Sequence, residues 1–399
     1  MSEGDDGKVE RIREKLYLPD NLISLNAGSW GPLCRAARRA IEEAYRDEAA
    51  SRGDDPDAMR AAGSGLARYS RVIDEAKGVL SGFLGCAPGE VALCDSSTTA
   101  MNIFLWGFEF HRGDEVIAGS LENPAAFVPL RVLAERRGVR LIVAEQGNGE
   151  VDAVEAVSKA MTPRTRMILM SDVNYATGAR VNLRVMSEVA HERDVLILAD
   201  GIQAVGTVPV NVKELGVDGY ALSRHKFLCG PDGAGVLYVD RDVIPRVKPT
   251  YSGVFTDSGH GMGGELALWG TAQRYEVSTR PLPVISGGTA AVRWLTEEVG
   301  WSYIFERNRG LYWDLWGRLD EVKGVELISG REQNSLMTFA VEGVPPSEVV
   351  AKLRESYIFG RAIGVTEPEG VRLSVGFWNR WSDLEIIVEA LESIAEDGG

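Results

Sequence analysis

Short hydrophobic runs recur along the middle of this chain. Between about residues 90 and 240, runs rich in Val, Ile and Leu alternate with longer amphipathic stretches. This alternation is typical of a mainly parallel sheet covered by helices, so the sequence predicts an α/β three-layer sandwich. The predicted strands are Glu90–Cys94, Glu115–Ala118, Leu141–Val143, Met167–Ser171, Val195–Ala199, Gly219–Ser223 and Val236–Val239.

The last two predicted strands are joined differently from the others. The connecting stretch GPDGAG (residues 230–235) is typical of a turn rather than of a helix. Parallel neighbours need a long crossover connection, whereas a short turn can join only antiparallel strands. The final strand of the sheet is therefore expected to run antiparallel to the strand before it.

The hydrophobic pattern changes after about residue 285. A helical pattern from Thr289 to about Leu319 is followed by strand patterns at Val325–Ile328 and Ser335–Val341, and a terminal helix begins at Ser382. This order predicts a smaller α+β C-terminal domain. The predicted organisation is an N-terminal segment (1–24) that packs on the small domain, a large domain (25–284) and the small domain (285–399).

The composition narrows the possible partners and the compartment. The chain has 399 residues, 45% of them hydrophobic, and a formal net charge of −15. This charge disfavours nucleic acid and anionic membranes as partners, and no apolar run reaches the roughly 18 residues of a membrane span. The four cysteines and four histidines lack metal-ligand spacing. We therefore expect a cytoplasmic protein that binds no metal, nucleic acid or membrane.

Polar side chains follow three of the predicted strands. Asn174, Asp200 and Lys226 come after successive strands at equal spacing. Ligands of open parallel sheets bind beyond the carboxyl ends of the strands, so these residues are expected at one edge. Taken alone, Asp200 could be a helix cap or turn former, and Lys226 could be a surface lysine. Together they predict a site where Asp200 pairs with a pyridinium nitrogen and Lys226 forms a Schiff base.

A cluster of small hydroxyl residues follows the first predicted strand. The stretch DSSTTA (95–100) precedes an apolar helix pattern from Ala100 to Phe108. Free backbone N–H groups and hydroxyls at the start of a helix bind phosphate, although Ser and Thr also cap helices without any ligand. Thr98 and Thr99 are expected one strand away from Asp200 and Lys226, and this position favours a phosphate site.

Two arginines flank a short stretch of the small domain. Arg361 and Arg372 lie on either side of residues 362–371. Most arginines are solvated surface charges, but a guanidinium fork can bind a carboxylate through two parallel hydrogen bonds. If they face the predicted site, Arg361 and Arg372 would orient the carboxylate of a small L-amino acid.

Taken together, these motifs resemble the class V aminotransferase group of fold-type I pyridoxal-5′-phosphate (PLP) enzymes. The resemblance depends most on DGIQAVG (200–206), SRHKF (223–227) and GPDG (230–233). It extends from LNAG (25–28) near the start of the chain to VRLS (371–374) near its end. The resemblance implies a PLP transferase fold in which residues 25–284 form the PLP-binding domain.

The resemblance also implies roles for individual residues. Lys226 would carry PLP as a Schiff base, Asp200 would pair with the ring nitrogen, and Gln203 would donate to the phenolic oxygen. Asn174 is a further implied cofactor contact at the same edge of the sheet. The implied phosphate contacts are Thr98, Thr99, Ser223 and His225.

Two other positions concern the neighbouring subunit and the cofactor ring. Thr279, in the run RYEVST (274–279), resembles a threonine that reaches the phosphate of the neighbouring subunit's cofactor, which implies a homodimer with shared active sites. Family members commonly stack a histidine on the ring, and this chain has Asn123 there. Asn123 is therefore expected to contact the cofactor without the acid–base capacity of an imidazole.

The substrate class is less closely defined. Within the group, GRAIG (360–364) and Arg372 are most similar to cysteine and cystine C–S lyases and isopenicillin N epimerase-like members. VNYATG (173–178) is also similar to kynureninases, which usually carry histidine in place of Gln203. Cysteine desulfurases need a mobile nucleophilic cysteine in the small domain, but no cysteine follows Cys229, which argues against that persulfide mechanism.

We therefore expect β-elimination at the C–S bond of a cysteine or cystine-type substrate. Transamination of a small amino acid and racemisation remain alternatives, because both also begin with loss of the α-proton. A catalytically silent PLP-fold scaffold is the non-enzymatic alternative, and Asn123 favours it slightly. A nicotinamide-dependent dehydrogenase is disfavoured because no GxGxxG fingerprint follows a central strand.

Overall fold

A computed structural model describes residues 3–54, 65–147, 151–261, 263–331, 335–364 and 368–398. A seven-stranded sheet lies between two layers of helices, so the predicted α/β three-layer sandwich is confirmed. Each of the seven predicted strands is present. After the short β1 (Ile23–Ser24), which lies outside this sheet, they are β2 (Val91–Cys94), β3 (Glu115–Gly119), β4 (Arg140–Ala144), β5 (Thr165–Ser171), β6 (Leu196–Asp200), β7 (Gly219–Ser223) and β8 (Gly235–Val239).

The order of the strands follows from the connections between them. The sheet has the order β2-β8-β7-β6-β5-β3-β4. Neighbours from β7 to β4 run parallel, whereas β8 runs antiparallel to both β2 and β7. The segment between β7 and β8 contains no helix, and it is too short for the crossover that parallel strands require. The predicted antiparallel final strand is confirmed.

Helices cover both faces of the sheet because side chains alternate along each strand. In β5, Ile168 and Met170 join one hydrophobic core, whereas Met167 and Leu169 join the other. All four side chains are at most 1% exposed. The helices of this part are α1 (Glu3–Arg13), α2 (Arg35–Ala49), α3 (Gly65–Leu84), α4 (Ser97–Gly107), α5 (Pro124–Arg137), α6 (Ala153–Ala160), α7 (Leu183–His191), α8 (Val212–Leu215) and α9 (Leu282–Trp294).

A second, smaller sheet forms in the C-terminal part of the chain, as the sequence predicts. Its four antiparallel strands lie in the order β11 (Val325–Leu327), β12 (Leu336–Val341), β15 (Gly370–Ser374) and β14 (Arg361–Ile363), and the core between this sheet and its helices contains Leu311, Phe339 and Leu373. After the two-stranded ribbon of β9 (Asp257–His260) and β10 (Leu266–Leu268), the elements are α10 (Trp301–Asp320), β11 (Val325–Leu327), β12 (Leu336–Val341), α11 (Pro346–Glu355), β13 (Ile358–Phe359), β14 (Arg361–Ile363), β15 (Gly370–Ser374) and α12 (Trp381–Gly398).

The N-terminal segment contacts both parts of the molecule. Strand β1 pairs in parallel with β13, and Ile23 joins the core of the small sheet. Ile12 and Leu16 instead join a core of the large sheet, and so do Ile285 and Val292 of α9. The division of the chain at residues 24 and 284 stays a prediction.

The long helix predicted from Thr289 to about Leu319 is wrong, because the structure divides it. Helix α9 ends at Trp294, a π-helical turn spans Leu295–Val299, and α10 begins at Trp301. Gly300 separates them with φ 89° and ψ 126°, a conformation that is open essentially to glycine alone.

In the ranges that the structure describes, no helix is long and apolar enough to cross a membrane.

Candidate active site

Three parallel strands end side by side at one edge of the large sheet. Strands β5, β6 and β7 end at Ser171, Asp200 and Ser223, and Lys226 follows β7 within three residues. Asp200 is 2% exposed and Lys226 is 9% exposed. Each of these two groups influences the proton affinity of the other. The structure therefore brings together the two residues that the sequence predicts as catalytic.

The electrostatics of this pair set the charge of the lysine. Burial lowers the pKa of Lys226 to about 7, and the positive charges of Arg372 and Arg361 act in the same direction, whereas Asp200 opposes them. Burial raises the pKa of Asp200, but the Ile202 N–H, which donates to Asp200 Oδ1 at 3.0 Å, and the Lys226 charge favour the carboxylate. Lys226 can therefore exchange a proton near neutral pH.

The predicted phosphate site lies at the start of α4. The Ser96 side chain accepts from Thr99 N–H at 3.1 Å and caps the helix, while the Ser97 N–H donates to Ser223 Oγ at 2.7 Å. The second bond fixes the start of α4 to the end of β7. Thr98 and Thr99 are only partly buried in the first turn, where free N–H groups and the helix dipole favour an anion.

His225, the residue before Lys226, is partly buried. Burial lowers the pKa of His225, and the nearby Lys226 charge adds to the effect. Asp232 is the nearest carboxylate, with Oδ1 3.8 Å from His225 Nδ1. A neutral imidazole at this position can donate one hydrogen bond to an anion without adding a second buried cation beside Lys226.

Two arginines converge on the hydroxyl of Ser29. Arg372 is 2% exposed, and it donates to Tyr175 O at 2.8 Å and to Ser29 Oγ at 3.1 Å. Arg361 is exposed and donates to the same Ser29 Oγ at 3.0 Å. Burial lowers the pKa of Arg372 to about 10, and the Arg361 charge contributes. Two cations that share one neutral acceptor form a favourable position for a carboxylate.

Unsatisfied buried polar atoms surround Gly28. Gln203 Nε2 donates to Gly28 O at 3.0 Å, and a side-chain carbon at Gly28 would lie 2.8 Å from both Arg372 Nη2 and Ser374 Oγ. Gln203 Oε1, Arg372 Nε and Ser374 Oγ are buried without a hydrogen-bond partner among the described residues. Buried polar atoms normally find partners, so this cluster fits a polar ligand such as PLP with a bound amino acid.

Three predicted contacts have different surroundings. Asn174 Nδ2 donates to Leu121 O at 2.7 Å, and its Oδ1 accepts from the Ala176 N–H at 2.8 Å. Asn123 caps α5 by accepting from the Ala125 N–H at 2.9 Å. Thr279 is exposed on the surface of this chain. These contacts show how the chain holds Asn174 and Asn123 in place, and the cofactor roles of all three residues stay predictions.

Two residues at the site, Ser29 and Glu122, are not among the predicted site residues. Ser29 connects both arginines, although they lie more than 300 positions away along the chain. Glu122 is 0% exposed and accepts hydrogen bonds from the Ser171 backbone and side chain. A carboxylate that closely follows a buried strand is an available signal for Glu122, because such a group needs a partner.

The four cysteines are free thiols. Burial raises the pKa of Cys34 to about 11 and that of Cys86 and Cys94 to about 12, and it raises the pKa of Cys229 well above the usual value of a thiol. A thiol that holds its proton this tightly is a poor nucleophile at neutral pH. The structure therefore supports the expectation that Cys229 is a structural thiol. Among the described residues, no group of three His, Cys, Asp or Glu side chains could hold a metal ion.

Comparison with known proteins places these features in context. A family model described as Aminotransferase class-V matches residues 35–386. A probable cysteine desulfurase of Methanothermobacter thermautotrophicus is 26% identical over 98% of this chain and 99% of its own length. The cysteine desulfurase CsdA of Escherichia coli is 26% identical over 71% of this chain and 72% of its own length.

Solved structures share the fold. A complex of the cystine C–S lyase C-DES with its reaction product cysteine persulfide has a TM-score of 0.85 and 25% identity, covering 94% of this chain and 98% of that one. A C-DES mutant with glycine covalently linked to the PLP cofactor has a TM-score of 0.86 and 24% identity, covering 95% and 98%. The expected fold-type I architecture is confirmed by these likenesses.

Proposed function

This chain belongs to the class V aminotransferase family, and from that premise we propose that it is a PLP-dependent lyase that cleaves the C–S bond of cysteine or cystine. The proposal depends mainly on the position of Lys226. This lysine is buried beside Asp200, and the charges of Arg361 and Arg372 lower its pKa. A buried lysine whose pKa is lowered to about 7 has the proton affinity expected of a Schiff-base lysine.

The residues around Lys226 fit the PLP cofactor. Asp200 would pair with the ring nitrogen and keep it protonated, and Gln203 would contact the phenolic oxygen. Bound PLP supplies an electron sink for the electron pair that is released at the substrate α-carbon. The proposed phosphate contacts are Thr98, Thr99, Ser223 and His225.

Arg372 would bind the α-carboxylate of the substrate, with help from Arg361. Arg372 is fixed by its bond to Tyr175 O, so its guanidinium is oriented before the substrate arrives. Both arginines already donate to Ser29 Oγ, and a carboxylate would be a stronger acceptor than this hydroxyl. The substrate would therefore be oriented by its carboxylate while its α-carbon lies near Lys226.

Lys226 Nζ would remove the α-proton. A base is most effective when its pKa lies near the working pH, and burial lowers the pKa of Lys226 to about 7. The neutral amine is therefore well populated at physiological pH. The negative charge of Asp200 raises the proton affinity of Lys226. Asp200 would therefore stabilise Lys226 once it has taken up the α-proton.

The choice of a lyase depends on sulfur chemistry. The solved relative C-DES is a cystine C–S lyase, and several sequence relatives are named cysteine desulfurases. Each of the four cysteines of this chain has a raised pKa because of burial, so none is suited to accept sulfur as a nucleophile. We therefore favour elimination, in which cystine and water would yield pyruvate, ammonia and cysteine persulfide.

We also propose a homodimer that acts in the cytoplasm. Large apolar side chains lie on the surface, with Trp30, Tyr251, Val254 and Leu266 all more than 60% exposed, and exposed apolar residues are characteristic of protein interfaces when they are contiguous. The exposed Thr279 is free to reach a neighbouring subunit in the way the family resemblance implies. Four free cysteines suit a reducing compartment.

An assay of three substrates tests the proposed reaction. The purified protein with PLP is incubated with cystine, with cysteine, and with alanine plus a keto acid, and pyruvate, sulfide, persulfide and new amino acid are measured. The proposal predicts pyruvate in a one-to-one ratio with released sulfur from cystine or cysteine. Arg372→Lys is the matched variant, because it retains a positive charge and loses the fork.

Other outcomes would replace this proposal. Turnover that requires the keto acid and releases no sulfur would identify an aminotransferase. Loss of substrate chirality without pyruvate would identify an epimerase. A protein that binds PLP but turns over none of the three substrates would support the inactive scaffold.

A further inference from the structure

A second buried carboxyl group lies beside the site. Glu122 is 0% exposed, in the short connection between β3 and α5. Its Oε1 accepts from the Ser171 N–H at 2.8 Å, and its Oε2 lies 2.5 Å from Ser171 Oγ. No Lys, Arg or His in the described part of the chain lies within ion-pair distance of Glu122. A buried carboxylate without a cation is costly unless it takes up a proton.

Ser171 connects Glu122 to Asp200. Ser171 and Asp200 are ladder partners at the ends of β5 and β6, and the Asp172 N–H donates to Asp200 O at 3.0 Å. The titratable group that acts on Glu122 is thus Asp200, which in turn interacts with the charge of Lys226. Burial raises the pKa of Glu122 to about 8, and the Asp200 charge contributes to the shift.

The two carboxyl groups have different surroundings. Asp200 is close to a buried cation and accepts a backbone N–H, both of which favour its charged form. Glu122 accepts hydrogen bonds from the Ser171 N–H and the Ser171 hydroxyl, and among the described residues it has no cation within ion-pair distance. Neighbouring carboxyls of unequal environment divide into one acid and one carboxylate.

We propose that Glu122 is a positioning residue that keeps its proton at neutral pH, binds the end of β5 through Ser171, and leaves Asp200 as the carboxylate that acts on Lys226. A charged Glu122 would compete with Asp200 for the same buried cation. The neutral acid therefore lets Asp200 pair with the ring nitrogen of PLP, a consequence that depends on the proposed function.

The proposal predicts that Glu122→Gln is well tolerated at neutral pH. The amide is neutral, accepts from the Ser171 N–H and donates to Ser171 Oγ. The parent and E122Q should differ in how their stability depends on pH. Glu122 has a raised pKa in the folded chain, so its stabilising contribution is complete below the unfolded value of 4.5 and is lost as the pH rises toward about 8.

The experiment measures the melting temperature of the full chain and of E122Q across this pH range, with and without PLP. The expected result is that E122Q gains stability relative to the parent as the pH rises from about 4.5 to about 8, with a plateau above. Glu276→Gln is the control, because Glu276 is a buried carboxyl with a cation, Lys77 Nζ, at 3.1 Å. E276Q should be less stable than the parent at neutral pH.

A positioning role differs from a purely structural one because it requires that the protonation of Glu122 depends on the charge of Asp200. In an Asp200→Asn background the negative charge that repels a charged Glu122 is absent. The difference in melting temperature between E122Q and its parent should therefore level off at a lower pH. In addition, the infrared carbonyl band of a protonated carboxylic acid at neutral pH should be present in the parent and weaker in E122Q. This band does not depend on the stability of either variant.

A stability difference that is constant above about pH 5 would overturn the proposal, because it would mean that Glu122 is already charged there. A plateau that does not move in the D200N background would contradict the coupling to Asp200. These readouts do not require PLP. A chain that binds no PLP and yet shows the predicted pH dependence would refute the proposed function and leave the Glu122 proposal standing.

Discussion

Replacing Arg372 with lysine tests how the substrate is bound. Arg372 is 2% exposed, with bonds of 2.8 Å to Tyr175 O and 3.1 Å to Ser29 Oγ. Lysine keeps the charge but offers a single nitrogen in place of the planar fork. The variant should therefore still attract an anion by its charge, but it should lose the two parallel hydrogen bonds to the α-carboxylate.

The expected loss can be estimated from one hydrogen bond. A hydrogen bond to a charged group contributes about 1.5–3 kcal/mol, and each roughly 1.4 kcal/mol corresponds to about a tenfold change in rate. Arg372→Lys should therefore lower kcat/KM about 10- to 150-fold. Arg361→Lys should lower it less, because Arg361 is exposed and its interactions are weakened by water.

The assay compares cystine or cysteine with cysteamine, which has no carboxylate. Substitution of Arg372 should reduce turnover of the amino acid and leave the rate of any reaction with cysteamine unchanged. Melting temperatures of both variants control for misfolding. An R372K variant that is as active on the amino acid as the parent, or equally impaired on both substrates, would refute this mode of binding.

Two further substitutions test the electrostatics and the fold. Lys226→Met should stabilise the PLP-free chain at neutral pH. Burial lowers the pKa of Lys226 from 10.5 in the unfolded chain to about 7 in the folded chain. Between pH 10.5 and about 7 the parent therefore takes up a proton when it unfolds, so its stability falls as the pH falls through this range. The variant has no such group and should not lose stability in this way. Urea unfolding of both chains measures the difference, and parallel pH profiles would contradict the buried lysine. Gly300→Ala should destabilise by about 1–3 kcal/mol because Gly300 has φ 89°. Gly317→Ala in α10, where no atom would contact the added carbon, should instead stabilise by about 0.5–1 kcal/mol; equal effects in thermal unfolding would show that the break at Gly300 is not strained.

The fold could be predicted where each element has its own local signal. The strands of the large sheet are buried on both faces, so their apolar runs are continuous and short enough to recognise. The turn before β8 contains Gly and Pro, which identify the antiparallel strand. The division between α9 and α10 has no such signal, because Gly300 lies in an otherwise helical pattern and its positive φ is a property of the folded backbone.

The candidate site could be predicted only in part for a similar reason. Asp200 ends β6 and Lys226 follows the end of β7 by three residues, and the rule for parallel sheets places both at the same edge. Ser29 and Glu122 obtain their positions from partners distant in sequence, Arg361, Arg372 and Ser171. Contacts of this kind form only when the sheets have assembled, so the sequence can indicate that Glu122 needs a partner but cannot identify Ser171 as that partner, and it gives no such signal for Ser29.

Reduction of the PLP-loaded protein with borohydride identifies the lysine that carries the cofactor. Borohydride converts the bond between PLP and its lysine into a stable amine, and peptide mapping by mass spectrometry identifies the modified residue. We expect the label on Lys226. A label on a different lysine, or a chain that takes up no label after incubation with PLP, would contradict the assignment of this site.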